Sequence, residues 1–356
     1  MAIQPAISSL LTGQKAFYHQ PDYGMRTFGE LSCLEALPPC YCVSIESRIS
    51  RIAKVVLAIV FFPLGIWYLL HRVAGLFLVP ASFDPEITKI SIAAREALNL
   101  EGPWKYKRFT VAVDDCLVDA CVIGREETLG NGRFVLKSFG NGETYRLSDY
   151  AFEQFLQEIN GNAIVFNVPG VGGSVGGPSR DTMAKAYRAM LQFMEDQEEG
   201  LGAREIIGYG YSIGGAVQAT GLDEHTLRND LKYLFIKDKT FATLGGIATD
   251  IAGGFIGFVV KALGWNISVV DSSIRLKAKE IIIQTTSGYQ ERVLTSAAEI
   301  INDGIITASA SLAKAILESK EPMYEKVVIA TPTDHGTPLL STNILSTEVN
   351  RMLGEV

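Results

Sequence analysis

Glu205-Ile206-Ile207-Gly208-Tyr209-Gly210-Tyr211-Ser212-Ile213-Gly214-Gly215-Ala216-Val217-Gln218-Ala219 is the stretch whose reading decides the fold. The apolar pair Ile206-Ile207 belongs to a strand and the small residues after Gly214 belong to a helix, so the turn between them carries a serine at its apex. Glycines two before and two after Ser212 are what such a turn demands, because a strained backbone at the serine leaves no room for a Cβ on either side. This is the pattern of a nucleophile elbow. It lifts the hydroxyl above the sheet edge and sets the N–H of Ile213 where an oxyanion would form. The signal is weak by itself, since a chain with 34 glycines produces G-x-S-x-G spacings by chance.

Three other segments, in the order one architecture requires, strengthen it. Arg133-Phe134-Val135-Leu136-Lys137-Ser138-Phe139 reads as a strand running into Gly140-Asn141-Gly142-Glu143, a glycine-rich turn able to aim a backbone N–H into a site. Ala163-Ile164-Val165-Phe166-Asn167-Val168 is a second buried strand, followed by the glycine-rich run Pro169–Gly177. A phosphate loop there is rejected, because no Gly-Lys-Ser/Thr follows and no acidic residue stands at the spacing of a ribose contact. Lys326-Val327-Val328-Ile329-Ala330 is a C-terminal strand, with Asp334-His335-Gly336 just beyond it. Helical patterns at 149–158 and 179–199 alternate with these strands, as a doubly wound sheet requires. Phe109–Val113 and Leu117–Ile123, joined by Asp114-Asp115, read as an opening hairpin.

With these blocks the sequence resembles the α/β-hydrolase superfamily. Phe139-Gly140-Asn141-Gly142-Glu143 is similar to the His-Gly-Asn-Gly oxyanion loop, with phenylalanine in the histidine's place. Asn167-Val168-Pro169-Gly170-Val171-Gly172-Gly173-Ser174 is similar to the Asp-x-Pro-Gly-x-Gly-x-Ser turn, and Ser212-Ile213-Gly214-Gly215-Ala216 to the start of the nucleophile helix. Residues 234–244 resemble the next strand and its Ser-Pro-Phe-Thr-Ser turn. The blocks span about 105 to 345, matching the roughly 200–250 residues of one such unit. The Ser-Ile-Gly-Gly elbow behind an apolar front end further resembles membrane-anchored lipid hydrolases and a hydrolase-like group from chlamydiae.

The resemblance implies an α/β fold with a mostly parallel sheet, an apolar cap and a Ser-His-acid triad in the chain order nucleophile, acid, histidine. His19 and His71 precede the catalytic unit, and His225, in Asp223-Glu224-His225, reads as a solvated surface residue. His335 is left. For the acid, Glu291 in the loop after the strand Glu280–Gln284 is the best match, although it could instead pair with Arg292 or open a helix; Asp303 and Asp238 are the fallbacks. Ile213 and Asn141 would supply the oxyanion N–H groups. The expected chemistry is hydrolysis of an acyl ester, with Ser212 activated by His335. No cofactor and no metal is expected, since four scattered histidines offer no H-x-x-x-H pair.

Val55 to Leu70 is a run of sixteen uncharged, mainly apolar residues, preceded by Arg48, Arg51 and Lys54 and carrying Trp67 and Tyr68 near its end. A span needs about twenty such residues, and Pro63 and Gly65 would kink a helix in its middle. A kinked membrane hairpin, one tilted span and a buried helix are the three readings. Attachment to membrane lipid is favoured, because the run lacks amphipathic periodicity. The run begins far from Met1 and lacks a small-x-small site, which argues against a cleaved signal peptide. The catalytic domain is expected to face the cytoplasm.

The organisation read from this is an N-terminal region 1–104 with its hydrophobic segment at about 52–80, a hydrolase domain 105–345, and a tail 346–356. Within the domain, 240–270 is an apolar cap or an ordinary core helix pair. A net charge of −7 and the lack of a basic stripe argue against nucleic acid. Five cysteines make no disulfide framework; Cys33, Cys40 and Cys42 cluster before the apolar run. The competing function is a non-catalytic membrane-associated interaction protein on the same scaffold, with a thioesterase or peptidase as a further option. The sequence gives no oligomeric state.

Overall fold

Ile206-Ile207, Leu234-Phe235-Ile236 and Ile281-Ile282-Ile283 are fully buried, and they form neighbouring strands. Strands that are apolar on both faces need cover on both faces, which parallel strands obtain from their crossover helices. The computed structural model describes residues 40–82, 104–141, 143, 150–340 and 343–354. His19, Cys33 and Gly142, read above from the sequence, lie outside them.

In chain order the described elements are β1 (Cys40–Val43), α1 (Arg48–Val60), α2 (Phe62–Leu78), β2 (Trp104–Val113), β3 (Cys116–Arg125), the short α3 (Glu126–Leu129), β4 (Arg133–Ser138), α4 (Tyr150–Glu158) and β5 (Asn162–Phe166). There follow α5 (Arg180–Glu195), β6 (Glu205–Tyr211), α6 (Ile213–Asp223), β7 (Lys232–Asp238), α7 (Leu244–Ala252), α8 (Gly254–Ala262), α9 (Val269–Arg275), β8 (Lys279–Thr285), β9 (Arg292–Val293), α10 (Leu312–Glu318), β10 (Lys326–Thr331) and α11 (Asn343–Leu353). The strands make one ten-stranded sheet, ordered β1-β2-β3-β5-β4-β6-β7-β8-β10-β9. From β5 to β10 the neighbours are parallel. The expected hairpin β2–β3 is antiparallel and β3 is antiparallel to β5. Asp114 turns it with φ 51°, the left-handed conformation such a two-residue turn uses. This is the α/β-hydrolase fold.

Two cores follow from the layering. Met183, Tyr187 and Met190 of α5, with Ala216 and Ala219 of α6, cover one face; Phe152 and Phe155 of α4 and Leu345, Val349 and Met352 of α11 cover the other. The expected tail 346–356 is therefore corrected through Leu353. Its i, i+4, i+7 apolar spacing buries it beneath the sheet, and the Lys232 and Lys279 ammoniums donate to its last carbonyls, Leu353 (3.0 Å) and Met352 (2.7 Å). The boundary at 104 shifts too, because β1 pairs with β2 as an edge strand of the same sheet.

α1 begins at Ser47, whose hydroxyl accepts the Ser50 N–H (3.2 Å). The apolar run does not continue as one rod. It breaks at Phe61 and restarts with Pro63 in the first turn of α2, where a missing N–H costs nothing. No single described helix is long and apolar enough to cross a membrane; α1 and α2 reach that length and composition only as a pair bent by 112°. Many of their apolar side chains are bare: Ile49, Ile59, Val60, Phe62 and Phe77 are each about three-quarters exposed. Ile251, Phe255 and Phe258 of the 240–270 insertion are also exposed, while Leu244 and Ile247 of α7 and Val260 of α8 pack into the core. The insertion joins α2 through Trp67, whose indole N–H donates to the Ala262 carbonyl (2.9 Å), and through Trp265, whose N–H donates to the His71 carbonyl (2.9 Å). The His71 and Trp265 rings stack at 5.1 Å.

An ionic clasp holds α1 to the body. Glu46 bonds Lys54 (2.8 Å) and Lys185 (2.7 Å), and the Ser50 hydroxyl donates to it (2.6 Å). Burial opposes the carboxylate's charge, but these bonds outweigh it and hold the Glu46 pKa at about 2. A carboxyl depressed in the folded state adds stability above its ordinary pKa and loses it as the pH falls towards its folded value. Glu46→Gln should therefore destabilise the protein by about 1–2 kcal/mol at pH 7, allowing for solvent screening. In denaturant titrations that difference should shrink between about pH 4.5 and pH 2; a difference independent of pH would contradict the clasp.

Candidate active site

Ser212 ends β6 with φ 53° and ψ −121°, a conformation that costs a non-glycine residue about 1–3 kcal/mol. The surroundings fix it. The Ser212 N–H donates to the Asp238 carbonyl at the end of β7 (2.9 Å), and the Thr240 hydroxyl donates to the Ser212 carbonyl (3.2 Å). Strand and helix meet so closely that a Cβ on Gly210 would lie 2.6 Å from the Gly215 Cα, while one on Gly214 would strike the Ser138 carbonyl. The sequence requirement for glycine at both positions is thus steric, as read.

His335 lies in the loop after β10, and its ring is almost wholly buried. Its Nε2 is 3.0 Å from the Ser212 Oγ and its Nδ1 is 2.9 Å from the Asp303 Oδ2. The His335 backbone N–H also donates to the Asp303 carbonyl (2.7 Å), so backbone and side chain lock the two loops together. Tyr211, next to the serine, donates its hydroxyl to the His335 carbonyl and lays its ring against the imidazole, centroids 5.6 Å apart. Asp303 is built to remain a carboxylate. Its Oδ1 accepts the N–H groups of Ile305 (3.0 Å) and Ile306 (2.7 Å). Burial disfavours its charge, yet the bonds from His335, Ile306 and Ile305 hold it below the usual aspartate range.

Glu291, expected as the acid, is not brought to His335: both ring nitrogens are already engaged, by Ser212 and Asp303. The chain explains the correction. After β8 it makes a detour through β9 and a 3-10 turn at Ala297–Glu299, then closes on itself where Thr286 bridges Ile300 and the Ser287 N–H meets the Glu299 carbonyl (3.0 Å). Only after this excursion does it regain the end of β8, and Asp303 is the carboxyl found there. Glu291 sits inside the detour beside Arg292, which pairs with Glu299. Asp238, the other fallback, has a framework role: its Oδ2 accepts the Tyr209 hydroxyl (2.5 Å) and the Leu339 N–H (2.8 Å).

Ile213 is the first residue of α6, so its N–H has no acceptor within the helix. Asn141, in the turn after β4, borders the same small cavity of about 30 Å³ as Ile213 and Gly140, walled by Val79, Ala81 and Phe166. The Gly140 N–H is occupied by the Glu143 carboxylate (3.0 Å), so it is not free for an oxyanion. Phe139, in the place of the resembled histidine, presents its ring to the Lys137 ammonium at 5.0 Å. His225 departs from the surface reading, because its side chain is buried and bonded to Glu195 (2.8 Å). What sequence reasoning missed was Tyr211 as a bridge between the nucleophile strand and the histidine loop. Its only mark in the sequence is its place beside Ser212.

In overall structure the chain is similar to an α/β hydrolase from Vibrio vulnificus, with a TM-score of 0.52 at 16% identity over 90% of this chain and 97% of that one. It is also similar to an esterase from Pyrococcus furiosus, with a TM-score of 0.51 at 15% identity over 72% of this chain and 94% of that one. At such identities the likeness is one of fold. No curated protein matches the chain in sequence. The model of the Chlamydia CHLPS protein family (DUF818) matches residues 36–354, nearly the whole length, and the chain belongs to that family.

Proposed function

We propose that this protein is a membrane-associated serine hydrolase that cleaves acyl esters through Ser212, His335 and Asp303. The observation that carries the reading is the continuous hydrogen-bond chain from Ser212 Oγ through both nitrogens of His335 to Asp303. In it the Nδ1–H donates to Asp303, which leaves Nε2 as acceptor for the serine proton. Ser212 Oγ then attacks the ester carbonyl and passes its proton to Nε2. The tetrahedral oxyanion is met by the N–H groups of Ile213 and Asn141, preorganised in the backbone. Collapse expels the alcohol, which leaves with the proton from His335; water, deprotonated by the same nitrogen, releases the acid and restores the serine.

The cavity beside those donors, about 30 Å³, has room for about two water-sized groups. A short acyl chain fits there, and Val79 and Ala81, at the end of the apolar helix pair, close the far wall. The exposed apolar side chains of α1, α2, α7 and α8 support attachment to lipid, since so large a bare patch is uncommon on a monomer in water. The alcohol part of the ester would then come from the membrane side.

Fluorophosphonate labelling of the full chain in detergent should mark the wild type and fail for Ser212→Ala and His335→Ala. Asp303→Asn should slow labelling by about 10³–10⁴-fold, as a wrong imidazole tautomer does in such triads, whereas Glu291→Gln should leave it within about twofold. A folded wild type that never labels would favour the non-catalytic scaffold. With p-nitrophenyl esters, acetate should be turned over at least about tenfold faster than octanoate, a difference of about 1.4 kcal/mol in the barrier. Val79→Ala should move the preference towards butyrate.

A further inference from the structure

A second cavity, much larger than the one beside Ile213, lies away from Ser212. It lies in the inner angle of the bent pair α1–α2, opposite the β2–β3 turn and the start of α5, and its volume is about 740 Å³. Val55, Ala58 and Ile59 of α1 and Leu69 of α2 form its apolar wall. The opposite wall is charged, and most of that charge is spoken for. Lys185 reaches Glu46 (2.7 Å), Asp181 (2.9 Å) and Asp114 (3.2 Å), while Arg51 pairs with Asp115 (2.9 Å).

Two lining cations stand outside this network. Arg72 and Arg180 have no hydrogen-bond or ion-pair partner among the described residues. Both line the cavity where α2 packs on the segment before α5: Gly75, one turn beyond Arg72, lies so close to the Pro178 carbonyl, two residues before Arg180, that a Cβ there would strike it. Guanidinium groups are weakly hydrated and match phosphate oxygens in pairs. An apolar wall with two uncommitted guanidinium groups, one on the same helix as Leu69 and one at the start of α5, is complementary to one kind of molecule, an alkyl chain with an anionic head.

We propose that this cavity binds one molecule of an anionic phospholipid, its phosphate at Arg72 and Arg180 and an acyl chain against Val55, Ile59 and Leu69. The bare outer faces of α1 and α2 adjoin the cavity, so the lipid can enter sideways from a leaflet without leaving apolar surroundings. The site is separate from the triad and independent of its chemistry; it rests on the proposed membrane attachment only for the source of the lipid.

Native mass spectrometry of the full chain in a neutral detergent tests the site directly, with dioleoyl phosphatidylglycerol, dioleoyl phosphatidylcholine and oleate as probes. A single phosphatidylglycerol adduct is expected, at least tenfold tighter than phosphatidylcholine. Arg72→Ala/Arg180→Ala should weaken it at least tenfold, and Ala58→Trp, which puts an indole where the acyl chain would lie, should weaken it similarly. Near-UV circular dichroism and an unchanged melting temperature certify that the variants are folded. Equal binding of both phospholipids, adducts insensitive to both variants, or retention of oleate alone would overturn the assignment. Fluorophosphonate labelling of the same samples reports on the triad, so failure of the lipid site and failure of the hydrolase reading are told apart.

Discussion

The hydrogen bond from the Ser212 N–H to the Asp238 carbonyl is the contact on which the geometry of this molecule turns. It holds a non-glycine residue at φ 53°, and a strained residue persists only where its neighbours over-determine it. The neighbours here are the ends of β6 and β7, the first turn of α6, and Thr240. Asp238 serves twice, since its carboxylate ties Tyr209 on the neighbouring strand β6 to Leu339 beyond the histidine loop. One residue thus links the nucleophile turn to the segment that delivers His335, which makes a framework part of what the sequence offered as a candidate acid.

The elbow was legible because its requirement is local. Gly210, Ser212 and Gly214 stand at fixed spacing; the crowding at Gly210 comes from Gly215 in the same turn, while that at Gly214 comes from the Ser138 carbonyl of β4. His335 was legible by position, as a lone histidine after the final strand. The acid was not, because its place depends on a detour whose closure, Thr286 against Ile300, is a long-range pairing with no signature in the sequence. Counting forward from β8 meets Glu291 before Asp303, and only the closed loop shows that Asp303 is nearer in space. α11 was misread for a similar reason. Its apolar positions are few and widely spaced, and they gain meaning only from the sheet face of Tyr209, Ile236 and Ile281 beneath them.

The front end shows how composition and structure answer different questions. Sixteen uncharged residues left a kinked hairpin, a tilted span and a buried helix open, and the break at Phe61 gives two shorter helices with many exposed apolar side chains. Such helices suit a position in the plane of a leaflet, where depth rather than length limits burial. The clasp of Glu46 with Lys54 and Lys185 and the indole bonds from Trp67 and Trp265 fix the pair to the body. These contacts are polar and directional, so they orient the pair while leaving its apolar area unburied.

That division of labour connects the front end to the chemistry. α2 runs on into Val79 and Ala81, which wall the small cavity beside Ile213 and Asn141, while its earlier turns carry Trp67, His71 and Arg72. A helix fastened at both ends, by stacked aromatics at one and by the packing of Val79 and Ala81 near Ile213 at the other, cannot shift at one end without moving the other, since packed interiors transmit displacement rather than absorb it. Whatever covers the outer face of α2 therefore bears on the wall against which an acyl group would rest. The same seventeen-residue helix carries bare apolar side chains, lines the larger cavity and leads into the wall of the smaller one. Its apolar composition is thus a constraint on the active site as much as on the membrane.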